Sequence, residues 1–266
     1  MKSFRKMIKF APMLSIASRH QAILDELQDK GYVNVLDLCK ELNVSAVTIR
    51  KDLKLLEDKG LLFRSHGGAS QHNPYINERP VDEKEHIQAE EKTRIGTYAA
   101  RLVTENDAII IASGTTVMAL ARHIKPLGHL TAITASLSVA MELNRHPEVE
   151  VVQLGGTLRK SSSSVAGSFG EAMLEHFSCS RLFLGVDGID LEFGLTTTSV
   201  TEAHLNQKMM RAAQKTIVLA DSSKFGRRGL GKICPLDDFD QIITDSGAPA
   251  HFIKALEEKG IEVTIA

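Results

Sequence analysis

The sequence predicts an α/β chain: a small N-terminal winged helix-turn-helix unit followed by a larger, mostly parallel α/β domain. Three observations carry this expectation. From residue 108 to 244, short β-branched apolar runs alternate with helical patterns, the order that builds a parallel sheet covered on both faces. The stretch Asn43–Lys54 divides at 100° per residue into an apolar flank (Ala46, Ile49, Leu53, then Leu56) and a polar one (Val47, Lys51, Lys54, with Thr48 and Arg50 at its edges). Charge divides as well: residues 1–70 hold 12 Lys/Arg against 8 Asp/Glu, and residues 71–266 hold 20 against 25. A basic small half joined to an acidic large half is the pattern of a polyanion-binding module attached to something else.

Composition narrows the class. With 266 residues, 43% hydrophobic and 24% charged, the chain is long enough for two folded domains and is not a disordered one. No apolar run reaches the roughly 20 residues of a membrane span, and no basic start leads into a continuous apolar core, so a cytoplasmic protein without a membrane partner is expected. Cys39, Cys179 and Cys234 have no paired spacing, and the ten histidines show no ligand pairing. Neither a metal nor a cofactor is expected.

Met1–Pro12 interleaves Lys2, Arg5, Lys6 and Lys9 with apolar residues; it reads as a tail or an upstream start in preference to a basic arm, because nothing caps or continues it. Ser18-Arg19-His20-Gln21 has the form of a capping box, with Ile23, Leu24 and Leu27 at core spacing and Gly31 as the stop. Asn34 is placed to cap a short second helix carrying Leu36, Cys39 and Leu42. The turn Asn43-Val44 then delivers Ser45 as N-cap of a third helix that ends at Lys59-Gly60. Helix, helix, tight turn, helix is the plan in which the third element enters the major groove. Candidate DNA contacts are Ser45, Val47, Thr48, Arg50, Lys51 and Lys54, an ordinary amphipathic surface helix being the alternative. The run Leu61–Ala69 reads as a hairpin wing offering Arg64 and His66, or as a plain strand and turn.

Residues 71–90, with Asn73-Pro74 and Arg79-Pro80 and the charged run Asp82–Glu85, read as a linker entering a helix that carries Ile95, Tyr98, Ala99 and Leu102. Strands are expected at 108–112, 130–134, 149–154, 181–186, 216–220 and 241–244, and helices near 116–125, 136–145, 169–177, 201–214 and 249–259. Each strand runs into small, polar or charged residues: Ser113-Gly114-Thr115-Thr116, Ala135-Ser136, Gly155-Gly156-Thr157, Asp187-Gly188, Asp221-Ser222-Ser223-Lys224 and Asp245-Ser246. These are strand C-termini, where open α/β sheets bind ligands, and they are expected to converge on one crevice. Ser113–Thr116 fits a phosphate cradle, with Lys224 as a point charge. Taken singly, each loop reads equally as an ordinary turn or cap. Ser161–Ser164 reads as a flexible loop over the crevice or as a bare solvated one.

Val44–Leu53, then Leu56-Glu57, Gly60 and Arg64–Ala69, resemble the N-terminal module of the DeoR family of bacterial transcriptional regulators. Lys51 stands where that family commonly has a second arginine; it keeps the charge and loses the planar fork that reads guanine. Ser113–Thr116, Thr134-Ala135-Ser136, Leu154-Gly155-Gly156, Gly185–Asp190, Ala220–Gly226 and Ile242–Asp245 resemble the family's C-terminal sensor domain, with Ala135 where asparagine is more frequent. The two matches cover roughly residues 15–250 in the family's order.

The resemblance implies a sensor domain similar in fold to ribose-phosphate isomerases, and a phosphorylated sugar or polyol as effector. Its expected contacts are Ser113, Gly114, Thr115, Thr116, Thr134, Ser136, Gly155, Gly156, Asp187, Gly188, Asp221 and Lys224. The division implied is 1–14 tail, 15–70 DNA-binding domain, 71–90 linker and 91–266 effector-sensing domain. The expectation is a repressor of a sugar or polyol operon, acting on double-stranded operator DNA as a dimer or tetramer, with no catalytic residues. An active sugar-phosphate isomerase with a DNA-binding module is the alternative, with Asp187, Glu202 or Asp221 as conceivable bases, although Gly188-Ile189-Asp190 departs from the Gly-Ala-Asp of such isomerases. A third reading makes the α/β half an oligomerisation domain only.

Overall fold

The computed structural model describes residues 15–65, 67–70, 81–126 and 128–266. The chain forms two compact units, Met1–Pro74 and Tyr75–Ala266. Among the described residues no helix is long and apolar enough to cross a membrane.

The first unit contains α1 (Ile16–Lys30), β1 (Tyr32–Asn34), α2 (Val35–Leu42), α3 (Ala46–Asp58), β2 (Phe63–Ser65) and β3 (Gly68–Ser70), with the strands antiparallel in the order β1-β3-β2. Local chemistry sets most of the boundaries. Gly31 ends α1 at φ 70°, Asn34 accepts the Leu36 N–H at the head of α2, and Asn43 turns the chain at φ 52°. Ser45 accepts the Thr48 N–H and starts α3. The start of α1 differs from expectation: Ser15, not Ser18, is the N-cap, and Ser18 donates its N–H to the Ser15 hydroxyl from within the first turn. Ser15 offers the same acceptor one turn earlier, so the helix begins there.

Ile23, Leu27, Val33, Val35, Leu38, Ile49, Leu53, Leu56, Leu62 and Ala69 form the core of this unit. In α2 the core positions are Val35 and Leu38, while Leu36 is 65% exposed, because the helix begins at Val35 and turns position 36 outward. The strand β1 was not expected. It pairs with β3 where Gly68 lies so close to Val33 that a Cβ would sit 2.0 Å from the Val33 carbonyl oxygen. One buried ion pair crosses the core: Arg19 Nε and Nη2 donate to Asp52 Oδ2 and Oδ1 at 2.7 and 2.9 Å, tying α1 to α3, and His20 Nε2 lies 3.2 Å from Asp52 Oδ1.

The second unit opens with α4 (Val81–His86) and α5 (Ala89–Ala100), so from Val81 onward the expected linker is helix. Residues 71–80 lie outside the described residues. The charged run is not merely a solvated face: Lys84 pairs with Asp187, and the buried Lys92 donates to the Lys84 carbonyl oxygen. The chain continues through β4 (Asp107–Ile111), α6 (Thr115–His123), β5 (Leu130–Thr134), α7 (Leu137–Leu143), β6 (Val149–Gln153), β7 (Thr157–Arg159), β8 (Ser164–Ala166), α8 (Ser168–Leu174) and β9 (Cys179–Gly185). It ends with β10 (Gly188–Asp190), β11 (Gly194–Thr197), α9 (Val200–Arg211), β12 (Ala213–Leu219), β13 (Gly231–Cys234), β14 (Gln241–Thr244), α10 (Ala250–Glu258) and β15 (Glu262–Ile265).

Seven strands form a wholly parallel sheet in the order β15-β14-β12-β9-β4-β5-β6. Alternate residues feed opposite faces. Ile109, Ile111 and Phe183 pack with α5, α6 and α7, while Ile110, Leu182 and Leu184 pack with α8, α9 and α10. All six expected strands are present. The edge strand β15, which alternates polar and apolar residues, and the short antiparallel pieces β7–β8 and β10–β11–β13 are additions.

The Arg19–Asp52 pair gives a test of how α3 is held against α1. Asp52→Ala leaves Arg19 buried with its paired carboxylate removed, and should lower the unfolding free energy of the first unit by about 3 kcal/mol in denaturant titration. A loss below about 0.5 kcal/mol, the level of ordinary surface changes, would show that the pair does not hold α1 to α3.

Candidate functional site

In the first unit, α3 buries Ile49, Asp52, Leu53 and Leu56 and turns Val47, Arg50, Lys51 and Lys54 to solvent. Val47 is 59% exposed beside these charges. Ser45 is exposed, but its hydroxyl accepts the Thr48 N–H at 3.2 Å and lies 3.0 Å from the Thr48 hydroxyl, so both side chains serve the cap. On β2, Arg64 donates its backbone N–H to Glu57 Oε1 at 3.0 Å, and its guanidinium lies 3.7 Å from Glu57 Oε2. A pair so long and so exposed is worth less than about 1 kcal/mol and yields readily to a phosphate. His66 lies outside the described residues.

In the second unit a crevice opens where the strand order reverses. From β4 the chain builds outward through β5 and β6, then returns to place β9 on the other side of β4. Loops leaving two strands that diverge in this way cannot cover the gap between them. Its lining comprises Ser113–Thr116 after β4, Gly185–Asp187 at the end of β9, Lys224 after β12, Thr197 and Glu202 around the start of α9, Ser161-Ser162 from the β7–β8 turn, and Val81 and Lys84 of α4.

Six expected residues meet here: Ser113, Gly114, Thr115, Thr116, Asp187 and Lys224. Gly114 has φ 126° with open space above it, and α6 begins without a side-chain cap, so its first N–H groups face the crevice mouth. Gly185 allows the close approach of the two strand ends, since a Cβ would lie 2.9 Å from the Ser113 carbonyl oxygen.

The other six lie outside this lining and have structural employment. The Thr134 hydroxyl accepts the Ser136 N–H, and Ser136 caps α7 through the Val139 N–H. Gly155 and Gly156 lead into the β7–β8 hairpin, where a Cβ on Gly156 would meet the Ala166 carbonyl oxygen at 2.6 Å, and one on Gly188 would meet that of Arg227 at 2.4 Å. Asp221 is fully buried and accepts the Ser223 N–H and hydroxyl. The Ser161–Ser164 segment is not a free loop: it is a hairpin turn pinned by Val81 N–H to Ser161 O at 2.7 Å and Leu137 N–H to Ser163 O at 2.9 Å.

Lys84 and Thr197 are polar lining residues that sequence reasoning missed, as it did the apolar Val81. Lys84 sits in an ordinary-looking charged run, and its partner lies 103 residues away, so no local pattern could have revealed it. Glu202 was considered only as an isomerase base, since its position after Ser199 also matches helix capping.

The polar groups form one network. Lys84 Nζ donates to Asp187 Oδ1 at 2.9 Å, and the Thr197 hydroxyl lies 3.1 Å from Asp187 Oδ2 and 2.6 Å from Glu202 Oε2. Ser113 donates to Glu202 Oε1 at 2.7 Å, and Arg159 pairs with Glu202 at 2.8 Å. The Thr197 hydroxyl has one proton for two carboxylate oxygens, which leaves acceptor capacity for another donor. Burial alone would raise the Asp187 pKa, but the charges of Lys84 and Lys224 and the hydrogen bonds from Lys84 and Thr197 outweigh it and hold the carboxyl at about 2. Burial pushes Lys224 down, against the opposing pull of Asp221 and Asp187. Burial likewise lowers Lys92 to about 8. Two lysines, helix N–H groups and hydroxyls interleaved with two carboxylates suit a ligand that carries both an anionic group and hydroxyls.

The depressed Asp187 pKa fixes a sign. A carboxylate whose folded pKa lies near 2 stabilises the fold above its unfolded pKa, and this contribution, about 2 kcal/mol, is lost as pH falls from about 4 through 2. Between pH 5 and pH 2, the wild-type protein should therefore lose about 2 kcal/mol more unfolding free energy than Asp187→Asn; parallel curves would contradict the assignment.

Comparisons with known proteins cover both units of the chain. The DeoR-like helix-turn-helix domain matches residues 19–74, and the DeoR C terminal sensor domain matches residues 87–246. The chain is 37% identical over 252 residues to the putative aga operon transcriptional repressor of Escherichia coli O157:H7, covering 94% of this chain and 93% of that protein. It is 31% identical over 244 residues to the HTH-type transcriptional repressor GlcR of Bacillus subtilis, covering 92% and 94%. Among solved structures, ribose 5 phosphate isomerase A from Neisseria gonorrhoeae aligns with 52% of this chain and 54% of its own at a TM-score of 0.37 and 18% identity. The full-length sorbitol operon regulator SorC from Klebsiella pneumoniae aligns with 79% and 88% at a TM-score of 0.39 and 14% identity. With both family models matched in order and regulators of this identity matched nearly end to end, the chain belongs to the DeoR family of transcriptional regulators.

Proposed function

We propose that the protein is a repressor of a sugar or polyol operon whose grip on its operator is modulated by a phosphorylated sugar or polyol bound in the α/β crevice. The observation that carries this reading is the composition of the crevice at the sheet's switch point: Lys84, Lys224 and the open N-terminus of α6 for a phosphate, and Asp187, Thr197 and Glu202 for hydroxyl groups. The DNA contacts are Val47, Arg50, Lys51 and Lys54 of α3, with Ser45 and Thr48 at its head and Arg64 on the wing, together with His66. One such helix reads too few base pairs for operator affinity, so the working form is a homo-oligomer on paired half-sites.

The relatives are regulators, which does not favour the isomerase alternative. Glu202, the crevice carboxylate nearest the Ser113 cradle, accepts from Ser113 and Thr197 and pairs with Arg159, a hydrogen-bonding arrangement that suits ligand orientation. Turnover of any pentose or hexose phosphate by the purified protein would revive the enzyme reading.

Two outcomes are expected. In a thermal-shift series of phosphorylated sugars and polyols beside their unphosphorylated forms, at least one phosphate ester should stabilise in proportion to the logarithm of its concentration, by about 2.7 kcal/mol at a hundredfold excess over Kd. Lys224→Ala, and a bulky residue at Gly114, should abolish that shift and the operator response. An intact response in both would reduce the α/β unit to oligomerisation. On the DNA side, Arg50→Ala and Lys51→Ala should each weaken operator binding and lower the slope of log affinity against log salt by about 1 per lost phosphate contact. An unchanged affinity and slope would remove that residue from the contact set.

A further inference from the structure

Helix α4 is tied directly to the lining of the crevice. Val81 donates its N–H to Ser161 O at 2.7 Å, and Lys84 Nζ donates to Asp187 Oδ1 at 2.9 Å; all four residues line the crevice. Further ties are the Lys92 ammonium on the Lys84 carbonyl oxygen, a half-exposed Arg122–Glu85 pair at 2.7 Å, and packing of α4 on α6. The Lys84 and Asp187 side chains are 25% and 22% exposed, so each has a path to an incoming ligand. Among the described residues the Lys224 ammonium, in the same crevice, has no direct hydrogen-bond or ion-pair partner. A second cation is thus already waiting where Lys84 faces Asp187.

We propose that the Lys84–Asp187 pair is an exchangeable latch. A ligand with both an anionic group and a hydroxyl takes over both partners, its anion pairing with Lys84 and Lys224 and its hydroxyl donating to Asp187. Occupancy of the crevice is thereby registered by α4, the first described helix after the segment that joins the two units. This rests on the reading of the crevice as the effector site. The chemistry imposes a selectivity. Inorganic phosphate satisfies Lys84 but strips Asp187 Oδ1 of its donor in a largely dehydrated site, and an unphosphorylated sugar does the reverse. Only a ligand carrying both groups replaces what it displaces.

Hydrogen exchange at the backbone amides of residues 81–86 in the full chain reads the latch directly. Without ligand, Lys84→Met and Asp187→Asn should each speed exchange there by about threefold or more, because each removes the tie from α4 to β9. With a panel of pentose, hexose and glycerol phosphates, any ester that raises the wild-type melting temperature should slow exchange at 81–86. Lys84→Met should bind that ester about tenfold more weakly and lose the slowing even at saturation, and Lys84→Arg should restore it. Inorganic phosphate alone should bind Asp187→Asn several-fold more tightly than wild type, since the competing carboxylate is gone.

The latch is overturned if the ligand-free variants exchange as wild type does, if an ester binds without altering α4, or if inorganic phosphate reproduces the full effect. If no ester stabilises the wild-type protein, the effector reading fails and the latch with it. An ester that binds while α4 stays unaffected defeats the latch alone.

Discussion

The reversal of strand order between β4 and β9 is the constraint from which the rest of the larger unit follows. Connections through α6 and α7 carry the chain from β4 outward through β5 and β6, and the return to β9 starts a second run on the opposite side. The ends of β4 and β9 therefore release their loops in opposite directions, and a cleft remains that neither layer of helices fills. Gly185 and Gly114 are the residues that make this junction usable. The first lets the two strand ends approach, and the second, at φ 126°, starts α6 with its free N–H groups beside the gap.

Around that gap the protein holds charge out of water at some expense to stability. Lys84 and Lys224 oppose Asp187, and Arg159 opposes Glu202; each carboxylate is further held by hydroxyls from Ser113 or Thr197. Asp187 recovers its desolvation cost from Lys84 and Lys224, whereas for Lys224 burial outweighs the pull of the nearby carboxylates. A site retained in this form is better explained by what it binds than by what it stabilises. The smaller unit shows the contrasting case. There the Arg19–Asp52 pair lies within the core between α1 and α3 and acts in positioning, while the outward face of α3 keeps Arg50, Lys51 and Lys54 unburied.

Much of this was legible from residue order because the signals were local. Asn34, Asn43, Ser45 and Gly31 sit at helix ends for reasons contained in three or four neighbouring residues, and the β-branched runs at 108–112 and 130–134 can hardly be anything but buried strands. Ser15 displaced Ser18 as a cap because two serines one turn apart offer the same chemistry. The crevice was legible only in part. Ser113–Thr116, Asp187 and Lys224 follow strands directly, whereas Lys84 reaches the site from a charged helix whose sequence looks like a linker. Thr134, Ser136 and Asp221 look like ligand groups at strand ends, yet they cap, turn and pin the backbone, and composition cannot separate the two uses.

In the proposed repressor two sites share one equilibrium, and such coupling must be reciprocal. The most direct measurement is calorimetric titration of a stabilising sugar phosphate into the protein alone and into the protein saturated with operator DNA. Operator is expected to weaken sugar-phosphate binding by the same factor by which the sugar phosphate weakens operator binding. Equal sugar-phosphate affinity in the two titrations would contradict this coupling.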